Sequence, residues 1–213
     1  MTWSLNEVEG LARKAARGAG MSWGMAEEAG RSARYLAGVG LPGADALADL
    51  LTMNDGVPHA SLAPQDIDAP WCAPGDGVLC PLITGALICD LAAPIGAGRK
   101  VVTGRLAHPL LMVPFVAAAA EMSGQCLRME WQGGDFSFDH EARGALGQDC
   151  AITDRVSVSR GSPSDAPLLS CRMRSMITPE TAARLLDFAQ RTFAPETPES
   201  RLSGAGAGLS DND

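Results

Sequence analysis

Apolar positions recur with helical spacing over the first fifty residues. Ser4-Leu5-Asn6-Glu7 reads as a capping box, in which the Ser4 hydroxyl accepts from the amide three residues on and Glu7 reaches back. Leu5, Val8, Leu11, Ala12 and Ala15 then fall on one stripe, and Gly18 and Gly20 end the helix. Ser22 caps a second helix over about 23–37, stopped by Gly38 and Gly40. Its apolar face holds Trp23, Ala26, Gly30, Ala33 and Ala37, small enough beyond the tryptophan to let another backbone approach closely. Gly24 in its first turn gives up about 1 kcal/mol of helix propensity at an interior position, which points to a close backbone contact or a ligand there. Pro42 precedes a third, short helix over about 44–52.

The period then breaks. Residues 54–76 carry Pro58, Pro64, Pro70 and Pro74 and read as a connection between a helical part, 1–53, and an α+β part, 77–200. Short apolar runs at 78–83 and 86–91 suit buried strands, and 100–105 suits another. Pro114 opens a helix to about Met122, closed by Gly124. Residues 126–132 alternate, with Leu127, Met129 and Trp131 on one face, and Gly133-Gly134 turns into Phe136 and Phe138, a hairpin. Residues 151–160 and 168–176 read as a second hairpin through 161–167. Thr178-Pro179 starts a last helix to about Phe193, and residues 201–213 form a glycine-rich tail. The sum is an α+β fold: N-terminal helices, then a mainly antiparallel sheet with one internal and one C-terminal helix.

Composition narrows the function. The net charge is −8, and residues 41–98 hold seven Asp with no Lys or Arg. That balance excludes a nucleic-acid binder that works through a basic surface. It leaves room for a small anion held by arginines, because those arginines lie elsewhere in the chain. The 15 Arg against 2 Lys reflect a coding bias, so a lone Arg is weak testimony. No apolar run of membrane-spanning length occurs, and the first twenty residues lack a leader's apolar stretch. Six cysteines without metal spacing read as free thiols in a reducing, cytoplasmic setting, with no metal site and no cofactor.

No hydrolase elbow, P-loop, zinc-helix or dinucleotide motif is present. His108, at the end of a strand candidate, is the preferred acid–base group. Asp154 interrupts the apolar row Ile152, Val156, Val158, so it is either a structural ion pair or a catalytic partner. Arg172 and Arg174 share a strand face, with Arg128 on a similar polar face, and two arginines spaced by two can clamp a carboxylate or phosphate.

The opening Ser4–Gly20 and Trp23–Gly30 strings and the closing Gly204-Ala205-Gly206-Ala207-Gly208-Leu209-Ser210-Asp211-Asn212-Asp213 resemble a family of uncharacterised proteins found mainly in alphaproteobacteria. The resemblance carries no activity. It implies that the tail has a role, which places Asp211 and Asp213 with Trp23 among candidate binding residues. Two functions stand open. One is a cofactor-independent hydrolase, lyase or isomerase acting on a small anionic or amide-bearing metabolite. The other is a non-catalytic accessory or oligomer-forming subunit.

Overall fold

The computed structural model describes residues 2–68, 70–75, 77–147 and 150–193. Strand β1 (Thr2–Ser4) leads into helix α1 (Leu5–Gly18), where both arms of the Ser4–Glu7 capping box form. Helices α2 (Trp23–Gly38) and α3 (Gly43–Met53) follow. Helix α1 ends with Gly20 at φ +92, its amide bonded to Arg17 O and that of Met21 to Ala16 O. Helix α2 repeats the motif with Gly40 at φ +77, bonding Ala37 O, while Leu41 bonds Leu36 O. Both are Schellman ends, and only glycine takes the left-handed turn without strain.

Helices α1 and α2 lie close together because Gly30 has no side chain: a Cβ there would sit 3.0 Å from Glu9 O. The small-residue face is as expected at Ala26, Gly30, Ala33 and Ala37, all buried. Trp23 is a correction. It is 67% exposed, with the Arg17 guanidinium 5.1 Å above its ring. Gly24 is another, since nothing lies within 4 Å of where its Cβ would be.

Residues 81–96 overturn the strand expectation. They form helices α4 (Pro81–Asp90) and α5 (Ala92–Gly96). The run is apolar on every side, so its periodicity could not separate a buried helix from a buried strand. Pro81 in the first helical turn was the legible signal. Gly85 brings α4 against Phe115 of helix α6 (Val113–Ser123), where a Cβ would stand 2.4 Å from the ring.

Strands β2 (Val101–Val102), β4 (Leu127–Trp131), β5 (Gly134–Phe138), β6 (Ala142–Leu146) and β8 (Val156–Arg160) make a five-stranded antiparallel sheet, ordered β2-β8-β4-β5-β6. The β4–β5 hairpin is as read, with Trp131 stacked on Phe136 at 5.4 Å between ring centroids. Helix α6 packs on β4 and β5 and also on α2, α4 and α5. Strands β3 (Leu106–Ala107) and β7 (Ile152–Thr153) form a separate pair.

The second hairpin is replaced by a longer path. Strand β8 already has β2 on one edge and β4 on the other, so no edge remains for 168–176. That segment crosses the molecule instead, and its strand β9 (Arg174–Met176) pairs with β1. The chain breaks at Asp154 and Arg155 between β7 and β8, which shifts the alternation by one: Thr153 is buried and Asp154 is exposed. Helix α7 (Pro179–Gln190) then packs on α1 and α3. The architecture is α+β, and one hydrophobic cluster runs from α1 through α6 into the sheet.

Two glycines separate close packing from open space. Gly18→Ala would push a Cβ to 1.7 Å from Phe188 O, so urea unfolding should show a loss of about 2 kcal/mol or more. Gly24→Ala, facing open space, should instead stabilise by about 0.5 kcal/mol.

Candidate functional site

The end of α2 builds a seat for one arginine. The carbonyl of Gly38, left over at the helix terminus, accepts from the Arg172 amide at 2.6 Å. That bond holds the incoming segment against the turn. The Arg172 side chain then lies flat on Gly40, where a Cβ would stand 2.6 Å from both Cζ and Nε. A side chain at position 40 would thus both strain the backbone and dislodge the guanidinium.

Arg172 belongs to two clefts. The first, of about 190 Å³, also takes Arg174, Asp45 and Met176. Asp45 is engaged there by the Thr181 hydroxyl, and Arg174 donates to Thr2 O at 3.2 Å. The second, of about 470 Å³, is an almost wholly apolar groove lined by Leu5, Tyr35, Val39 and Met173, with Cys171, Arg31 and Arg34 at its margin. Arg31 is paired with Glu28, and Arg34 with Glu9 and Asn6 at 2.7 Å each. Among the described residues no carboxylate pairs with Arg172. Burial pushes the Tyr35 phenol up to about 12, with Cys171 adding to it, so the groove wall stays uncharged.

The other expected site residues are scattered. His108 is 3% exposed and sits between β3 and a 3-10 turn, Pro109–Met112, at φ +38. Its amide donates to Ala151 O, and it lines neither of the two clefts that share Arg172. Asp154 opens onto a different cleft beside Glu130, Trp131 and Arg155, and is not the buried carboxylate the alternation implied. Arg128 is committed to Asp135 through a two-pronged bond, 2.9 and 2.8 Å, with Glu130 at 3.2 Å. Trp23 stands apart at the α1–α2 turn. Asp211 and Asp213 lie outside the described residues.

So the structure brings Arg172 and Arg174 together, and leaves His108, Asp154 and Arg128 elsewhere. Sequence reading missed Gly40 as the seat and Leu5, Tyr35 and Met173 as groove walls. Gly40 was legible only as a helix stop.

Residues 3–72 match the model of a family described as a protein of unknown function (DUF3726). No curated protein and no solved structure matches the chain. The match spans α1 to α3 and most of the proline-rich connection, hence Gly40 and the α2 wall of the groove, but neither Arg172 nor Arg174. No helix among the described residues is long and apolar enough to cross a membrane.

Tyr35 is the protein's sole tyrosine, so its titration can be read directly. Tyrosinate absorbance should rise near pH 12 rather than near the ordinary 10. The fold favours the neutral phenol, so this contribution to stability is intact below pH 10 and is lost as pH climbs from 10 through 12.

Proposed function

We propose that this protein binds a small anionic molecule at Arg172 and Arg174, without turning it over. The observation that carries the reading is the seat at Gly40: a guanidinium laid on a glycine turn, with no carboxylate partner among the described residues, beside a second arginine in one cleft. A planar guanidinium held in one orientation offers two parallel donors to a carboxylate or phosphate. Arg31, Arg128 and Arg191, by contrast, spend those donors on neighbouring acids. The cleft lining holds no histidine, and its carboxylate, Asp45, already accepts from the Thr181 hydroxyl, which favours binding over chemistry.

Cofactor-independent catalysis on the same kind of anion is the second reading. The observation on its side is His108, a buried histidine held at φ +38, a conformation rarely taken outside glycine.

Titration with succinate or inorganic phosphate tests the first reading. Arg172→Ala should weaken binding about tenfold, since a charge-assisted bond contributes about 1.5–3 kcal/mol before solvent screening. Gly40→Ala should act similarly by displacing the guanidinium, and Arg128→Ala should change nothing. Affinity should fall as salt rises. Binding that is indifferent to Arg172 would sink the proposal. Conversion of the bound compound over hours, followed by NMR and abolished in His108→Ala, would transfer the protein to the catalytic reading.

A further inference from the structure

The two clefts that share Arg172 differ in chemistry, and that difference suggests what kind of anion the site takes. The small cleft is polar and holds Arg174. The groove on the other side of Arg172 is apolar for nearly its whole length. From this juxtaposition we infer that the ligand is an amphiphilic carboxylate: a free aliphatic acid of medium chain length, its head on the Arg172 guanidinium and its tail along Leu5, Tyr35, Val39 and Met173. The inference rests on the anion-binding reading above and adds the tail.

Three features support it. First, the groove's unmatched charge is confined to one lining residue. Arg31 and Arg34 at the groove margin are neutralised by Glu28 and Glu9, so the positive charge not already matched belongs to Arg172. A uniformly acidic ligand would want cations along the whole groove, whereas one head and one tail want this layout. Second, the floor is bare. Gly38 contributes no side chain, and a Cβ there would meet Leu5 Cδ1 at 3.5 Å, so the α2 backbone leaves a channel where another residue would fill it. Third, one wall is adaptable. Met173 is 84% exposed, and an unbranched thioether side chain can fold down over an aliphatic chain at little rotamer cost. Without such a cover this is an apolar surface left open to water, which soluble proteins keep small unless it is used.

The groove supplies its own reporter. Cys171 is an exposed free thiol lining it, and Cys72 is an exposed free thiol that does not, lying instead against Gly104. Iodoacetamide labelling of the two can be followed by peptide mass spectrometry on the full chain. Saturating octanoate should slow labelling of Cys171 at least fivefold and leave Cys72 unchanged. Full burial of a methylene strengthens binding about fourfold, so in a half-open groove each should contribute about twofold. The half-protecting concentration should therefore drop about fourfold from butanoate to hexanoate and again to octanoate. Octanol, lacking the charge, should need at least tenfold more. In Arg172→Ala, with rates normalised to the same variant without ligand, the advantage of octanoate over octanol should vanish.

Equal protection by acetate and octanoate that is lost in Arg172→Ala would overturn the tail and leave the anion site standing. Chain-length dependence unaffected by Arg172→Ala would overturn both readings, because the groove would then be a plain apolar surface. Failure of every acid to protect Cys171 would overturn the tail, and the phosphate titration alone would then decide the anion site. Sedimentation of the protein with phosphatidylglycerol vesicles, without protection by free octanoate, would assign the groove to a membrane surface and overturn the inference.

Discussion

The close approach of α1 to α2 is the constraint on which the rest of the molecule depends. Helix α2 touches α1, α3, α4, α6 and β9, and it can serve so many neighbours because Ala26, Ala29, Gly30, Ala33 and Ala37 leave its surface nearly bare. Each neighbour then packs against backbone and methyl groups rather than between long side chains. With few aromatic residues in the chain, cohesion comes from many short contacts at high density, and that makes the glycines at crossings the sensitive points. Gly18 and Gly85 are two places where one methyl group is too much, and Gly30 is a tight one.

That same bare helix creates the candidate site. Because α2 ends in a glycine turn, its last carbonyl and the turn itself are open to another segment, and Arg172 occupies both with its amide and its guanidinium. Position and charge are thus supplied by different parts of the chain. The turn that shapes the seat lies within the segment matching a family of unknown function, and the arginine that fills it lies outside that segment.

Local features were legible in the sequence to the extent that their causes are local. The capping box at Ser4, the glycine stops at positions 20, 40 and 124, the proline start of α6 and the Gly-Gly hairpin all came through, since each is decided within a few residues. The misreadings share a cause as well. Residues 81–96 carry no polar face, so no period exists to be read, and it is burial on all sides that makes both helix and strand plausible. Asp154 looked buried because the alternation was extended through a break at Arg155 that only the strand pairing reveals.

What the sequence determined by itself was an α+β chain with capped helices, an acidic middle and its basic groups elsewhere, because composition and short-range backbone chemistry are properties of neighbours. What only the tertiary structure decided was which strand pairs with which, and which arginines meet an acid. Arg172, Arg174 and Arg128 look alike in the sequence. One is quenched by Asp135, one reaches back to Thr2, and one is laid on Gly40 beside an apolar groove. The physical reason is that strand alternation fixes which way a side chain points but not what stands opposite. That depends on β8 having both edges occupied, which sends the later strand across the molecule to β1.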